Sequence, residues 1–191
     1  MEPSSPSSTG KEILEAQLRE CFGRVVYSHK THEKCADILL RRLSWLKHTQ
    51  IILSVVLSGT LLRDLVGHQP TGIVPAILAG LLTFVNLYFR NFDYGRIAEA
   101  HKSAADQLWN TRESYQSLIG DFLGGIIDTK DATKRRDQLQ ERLSAIYSKA
   151  PRTNSNAYKK AQTALKYSED MTFSTAEIDA FLPGPLKKGT G

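Results

Sequence analysis

The 191-residue chain carries 25 Lys and Arg against 20 Asp and Glu, a net charge of +5, with 41% hydrophobic residues and a mean hydropathy of −0.30. Those averages look like a soluble protein, but they blend a strongly apolar centre with polar flanks that hold most of the charge. Two cysteines are too few for a disulfide framework, and basic residues spread over mixed-sign segments, without a zinc, homeodomain or RNA-recognition signature, exclude a nucleic-acid partner from the reading.

Residues 1–10 (MEPSSPSSTG) are rich in Ser and Pro and are expected to be disordered; they have neither the basic n-region nor the apolar core of a secretory signal. Thr9 and Glu12 have the spacing of a capping box, which predicts a helix start. Leu14, Leu18, Cys21, Phe22, Val25 and Val26 then recur at the three-four spacing of a helix with one buried face. Only Gly23 interrupts residues 11–50, so the stretch reads as one long helix, or two with a bend, feeding into the apolar centre. On one helix Cys21 and Cys35 lie about 21 Å apart along the axis, beyond bridging range.

The centre, residues 51–89, is two apolar runs joined by a polar turn. Residues 51–62 (IILSVVLSGTLL) are followed at once by Arg63 and Asp64; continued to Val66, this run reaches about 24 Å, with the charged pair at the far headgroups. Residues 67–72 (GHQPTG) are dense in helix breakers and predict a tight turn between antiparallel helices. Residues 72–89 (GIVPAILAGLLTFVNLYF) hold eighteen residues without a charge, a helix of roughly 27 Å against a hydrocarbon core of about 30 Å. Two spans, about 46–66 and 72–89, follow, the first serving as its own uncleaved insertion signal; the alternative is a hairpin buried inside a soluble bundle.

Arg41, Arg42, Trp45 and Lys47 before the first run, Arg63 beyond it, and Tyr88 and Arg90 at the exit of the second are the residue types that flank membrane boundaries. Five basic residues in 27–50 and three in 90–109 face a single Arg63 in the turn, so both termini are expected in the cytoplasm. Within the hairpin, Gly72, Ala76 and Gly80 recur every four residues, as do Ser54 and Ser58. Such rows let helices approach closely in a bilayer, either inside one hairpin or between copies. Thr83 and Asn86 are polar groups deep enough to need partners, from a neighbouring helix or a water-filled pore.

Beyond the second run the helix is expected to continue through residues 91–122, with Ala105, Leu108, Tyr115, Leu118, Ile119 and Phe122 as its buried stripe. A charged amphipathic helix follows over 132–150, with Leu139, Leu143 and Ile146 on one side; then a loop at 151–156, a helix over 157–167, and a short helix opened by the Ser174–Glu177 capping box and ended before Pro183. Residues 183–191 read as a disordered tail. Nothing reads as a strand, so the class is all-α: a two-span hairpin continuous with long cytoplasmic helices, plus C-terminal helices.

His29, His32 and Cys35 line one side of the first helix, and His101 is the one long-range candidate to complete a metal set. The plainer reading is a pair of interfacial histidines, with no metal and no cofactor. His32 and His101 each open the pattern H-x-x-x-A-D-x-L, which would let the two flanking helices lie side by side. No hydrolase elbow, P-loop, zincin, paired C-x-x-C or dinucleotide fingerprint occurs, and no catalytic residue is assigned; the expectation is a non-enzyme.

The chain resembles the SLATT family, the SMODS- and SLOG-associating two-transmembrane effector domains of bacterial conflict systems. The likeness rests on residues 25–29 (VVYSH) and 32–36 (HEKCA), the hairpin, residues 97–105 (IAEAHKSAA) and 109–115 (WNTRESY), and the closing 176–183 (AEIDAFLP). It covers roughly residues 12–186, with a SLATT-like domain at 11–182. The resemblance implies an inner-membrane effector that oligomerises with itself and permeabilises the bilayer, in antiviral defence by abortive infection. It also implies a trigger from a partner encoded nearby, a sensor or a nucleotide-signal synthase. A non-pore scaffold that recruits a soluble partner, and a soluble helical adaptor, are the alternatives.

Overall fold

The computed structural model describes residues 6–67 and 72–188; the turn expected at 67–72 therefore falls largely outside it, as do residues 1–5 and the last three of the tail. Among the described residues there is no strand. The chain forms α1 (Pro6–Gly67), α2 (Ile73–Asn91), α3 (Tyr94–Leu123), α4 (Thr129–Lys149), α5 (Ser155–Tyr167), α6 (Thr175–Phe181) and a single 3-10 turn, Gly184–Leu186.

α1 is one unbroken helix of 62 residues, about 93 Å long. It starts at Pro6, whose fixed φ suits a first helical position, so Thr9 lies inside the helix. Gly23 does not break it: a single glycine costs only about 1 kcal/mol relative to alanine, and packing on both sides of it outweighs that.

The first half of α1 packs along α3, which runs antiparallel to it. Leu14, Leu18, Cys21 and Val25 meet Leu108, Tyr115 and Leu118, and α4 closes this core with Ala132 and Ile146. The partly buried Phe22, Ile119, Phe122, Leu139 and Leu143 pack against it, so the stripes expected from spacing are the core found. α4 starts three residues earlier than spacing placed it, because Asp128 caps it by accepting the Asp131 N–H at 2.8 Å. It is held to its neighbours by Arg136–Gln17 at 2.8 Å, Tyr147–Ser28 at 3.0 Å and Arg135–Asp121 at 3.2 Å. α5 lies on α1 through Ala157, Ala161 and Ala164, all buried; their small side chains let the two backbones approach. The Ser174–Glu177 capping box is formed and opens α6 as expected.

Beyond the base, the last part of α1 pairs with α2. Leu53, Ser54 and Leu57 on α1 and Leu78, Leu82 and Val85 on α2 are half-buried where the two meet. Pro75 is buried and Thr60 half-buried as well, while most of the remaining hairpin is exposed, Leu65 at 78% and Ile73 at 76%. The most apolar 18-residue windows of the two spans are 0% and 6% buried, so the hairpin is not the core of a soluble bundle. Pro75 sits in the first turn of α2, where its missing N–H has no intrahelical bond to lose.

The expected continuity of α2 into α3 fails at Phe92–Asp93. Asp93 accepts the Arg96 N–H at 2.9 Å and starts α3 as its N-cap, while Phe92 takes an extended conformation. A short acceptor side chain that satisfies a free N–H makes a new helix start as favourable as continuation.

Leu18 is fully buried between α1 and α3, whereas Val55 is 67% exposed on the hairpin. Leu18→Ala is expected to lower stability by about 2–5 kcal/mol and Val55→Ala by less than about 0.5 kcal/mol, read from thermal unfolding of the detergent-solubilised protein.

Candidate functional site

Three features lie on the axis from base to hairpin: a buried histidine seam, an aromatic and basic collar, and the outward face of α2. The seam is where α1 and α3 meet just below the hairpin. As α1 advances from His29 to His32, its partner on α3 falls back from Ala105 to His101. His29 donates Nδ1–H to the Ala105 carbonyl at 2.9 Å, because a carbonyl can only accept; its Nε2 lies 3.7 Å from Glu33, and its ring packs on Trp109. The Nδ1 atoms of His32 and His101 are 2.9 Å apart, so one donates and the other accepts. Arg112 stacks over Trp109 at 4.7 Å and over Phe22 at 5.6 Å, extending the seam towards the core.

The three histidines and Cys35 thus come close, but not as a metal set. His29 is turned to a backbone carbonyl, and the Cys35 sulfur faces the Asn154 amide at 3.8 Å. No group of three or more His, Cys, Asp or Glu is placed to hold a metal among the described residues. Burial pushes the Cys35 thiol up, keeping it protonated. Burial also disfavours the nearby Lys30 ammonium, but Glu33 at 2.9 Å and Asp170 at 3.0 Å outweigh it and hold Lys30 above its usual range.

The collar surrounds a cavity of about 650 Å³ at the junction of base and hairpin. α1 contributes Arg41, Arg42 and Trp45, α2 contributes Tyr88, and α3 contributes Tyr94. The Tyr88 and Tyr94 hydroxyls are 2.7 Å apart, and Phe92 packs against both rings. α5 adds Asn156 and Lys160, which spacing did not single out: nothing in residues 157–167 reveals that their alanine row lies on α1. Lys47, Arg63 and Arg90 stay outside the cavity and exposed, Arg90 in the last turn of α2 where a cation suits the helix dipole.

On the hairpin, the Ser54 and Ser58 hydroxyls bond the carbonyls of Gln50 and Ser54, and Thr83 bonds that of Ala79. The Asn86 amide is exposed and has no hydrogen-bond partner among the described residues. Gly72, Ala76 and Gly80 are also exposed, and a Cβ built on Gly72 or Gly80 meets nothing within 4 Å. Of the two packing options for this row, the monomer's own hairpin does not use it.

An outward-facing apolar hairpin of bilayer length on a self-contained helical base, with tryptophan, tyrosine and arginine where the two join, defines a two-span membrane protein. The chain belongs to the SMODS and SLOG-associating 2TM effector domain family 4, whose family model matches residues 14–177. It is therefore a two-transmembrane effector domain, and the match takes in base, collar and hairpin alike. No curated protein and no solved structure matches the chain.

Burial, then the charges of His101 and His29, push His32 down to about 4, and burial lowers His101 as well. Both are neutral in the fold near neutral pH, while in the unfolded chain they titrate at about 6.5. The unfolded state then binds more protons below that value, so the seam's stability is full above about pH 6.5 and is lost as pH falls towards about 4. The unfolding temperature is expected to drop between pH 7.5 and 5.5, and His32→Asn with His101→Asn to flatten that slope; an unchanged slope would contradict the assignment.

Proposed function

We propose that this effector acts by assembling copies of itself in the cytoplasmic membrane and permeabilising it, with both termini in the cytoplasm. The base receives the trigger from a partner, a sensor or a nucleotide-signal synthase, and the outcome is growth arrest or death of an infected cell. The observation that carries the reading is Asn86: its amide is exposed on the hairpin and has no hydrogen-bond partner among the described residues. In hydrocarbon an unsatisfied amide costs several kcal/mol, which a second copy or a water-filled lumen removes. Gly72, Ala76 and Gly80, at and beyond the start of α2, are exposed, and a Cβ on Gly72 or Gly80 meets nothing within 4 Å, which leaves room for close approach by another helix. Two helices cannot enclose a pore, so permeation requires the oligomer. Nothing in the site calls for catalysis, and the reading is of a non-enzyme.

A scaffold that recruits a soluble partner without a pore is favoured by one feature. Phe173, Ile178 and Phe181, in and beside α6, are 67%, 46% and 83% exposed, an apolar surface on the base. The two readings separate on membrane potential.

Gly80→Leu and Asn86→Leu are each expected to stay in the membrane pellet after alkaline carbonate washing while losing most of the depolarisation and growth arrest caused by the wild type. Full activity in both variants would remove the oligomeric pore, and an unchanged potential in cells expressing the triggered wild type would favour the scaffold. Release of the wild type by carbonate would contradict the membrane placement itself.

A further inference from the structure

The collar cavity concentrates positive charge that the protein leaves unanswered. Arg41 and Arg42 from α1 and Lys160 from α5 line it, and no carboxylate does. None of the three has an ion-pair or hydrogen-bond partner among the described residues. The neighbouring groove between α1 and α5 shows that this is not the general state of the surface. There Lys34 has Asp37 at 3.9 Å, and Asp170 is taken up by Lys30 at 3.0 Å. Arg41 and Lys160 also border that groove, but its two carboxylates are engaged by Lys34 and Lys30, so three like charges meet in the cavity without a paired carboxylate, an arrangement that favours an anion there.

The walls narrow the chemistry of that anion. Phe84 and Val85 line the cavity from six to seven residues inside the end of α2, about 10 Å from that end and within the apolar segment. Leu46 adds a further apolar wall, and Trp45, 70% exposed, stands at the mouth. The Tyr88–Tyr94 hydroxyl pair uses one proton internally and leaves the other to donate. A fully water-soluble anion has no use for the apolar side, whereas a lipid has a charged end and chains that continue along the hairpin. We propose that this cavity is a binding site for the headgroup of an anionic phospholipid, its phosphate held by Arg41, Arg42 and Lys160 and its chains lying against α2. Three cations suit a headgroup with two phosphates, such as cardiolipin, better than one with a single phosphate.

The site has a structural consequence. α5 and α2 both pack on α1 but face each other across the cavity. A lipid there joins Lys160 of the base to the hairpin, so the position of α5 depends on membrane composition. The proposal rests on the membrane placement of the hairpin and not on pore formation.

The test uses the full-length protein purified in neutral detergent, titrated with cardiolipin or phosphatidylcholine and read by unfolding temperature and by native mass spectrometry. Cardiolipin is expected to raise the unfolding temperature saturably and to remain bound at one per chain, and phosphatidylcholine to do neither. Arg41→Gln/Arg42→Gln/Lys160→Gln is expected to weaken cardiolipin binding at least tenfold. Lys130→Gln/Lys134→Gln/Lys149→Gln, which removes the same charge from α4, should bind as the wild type does. Equal binding by the collar variant, or equal loss in the α4 variant, would overturn the site. So would a result in which inorganic phosphate or a nucleotide, but not cardiolipin, stabilises the protein through Arg41 and Arg42. Should the triple variant fail to enter membranes, the single changes Arg41→Gln and Arg42→Gln are read instead, and wild-type affinity in both would likewise reject it.

Discussion

The antiparallel seam between α1 and α3 holds the base together and sets the geometry of everything above it. α1 is at once the longest strut of the base and the first span, so whatever fixes α1 against α3 also fixes where the hairpin leaves. Below, the seam is held by ordinary apolar burial, centred on Leu18, Leu108 and Tyr115. Just under the hairpin it changes character: the His29–Ala105 and His32–His101 bonds replace interlocking methyls. Hydrogen bonds are directional where apolar contacts are not, so this stretch specifies register. A slip of one helical turn would strand three ring nitrogens and a carbonyl in a dry interior, at a penalty of about 1–3 kcal/mol for each unsatisfied group.

Above the seam the solvent changes, and so do the rules. The hairpin hides little of its surface within the chain, because in hydrocarbon an exposed leucine is at no disadvantage. What the bilayer penalises is an unpaired polar group. Ser54, Ser58, Thr60 and Thr83 meet that constraint by bonding carbonyls of their own helix. Asn86 makes no such bond among the described residues, and its amide carries both donors and an acceptor to satisfy.

Between the two regimes lies the collar, where aromatic rings and cations share one cavity. It forms because α2 ends at Asn91 and α3 restarts at Tyr94, which brings Tyr88 and Tyr94 together across the break. Had the helix continued, as spacing alone predicts, those rings would have been separated along one rod. The Asp93 cap is therefore a small local choice with a large effect on the functional surface.

Much of this protein is legible from its residues. Three-four spacing located the stripes of α1, α3 and α4, and the lack of charge over residues 72–89 located the stronger span, because burial in a helical core or in lipid imposes those patterns directly on the chain. The shared H-x-x-x-A-D-x-L pattern pointed to the side-by-side pairing of α1 and α3, and the structure adds that its two histidines meet. The residues alone left open whether the small-residue row of α2 packs inside the hairpin or faces away, since every side of a spanning helix is apolar and periodicity carries no direction there. Nor could they reveal that His29 and Cys35 turn to a carbonyl and an amide instead of a metal, or that Lys160 joins Arg41 and Arg42. Those outcomes depend on which helices come together across 76 to 119 residues of chain, a matter of tertiary packing that no local spacing encodes.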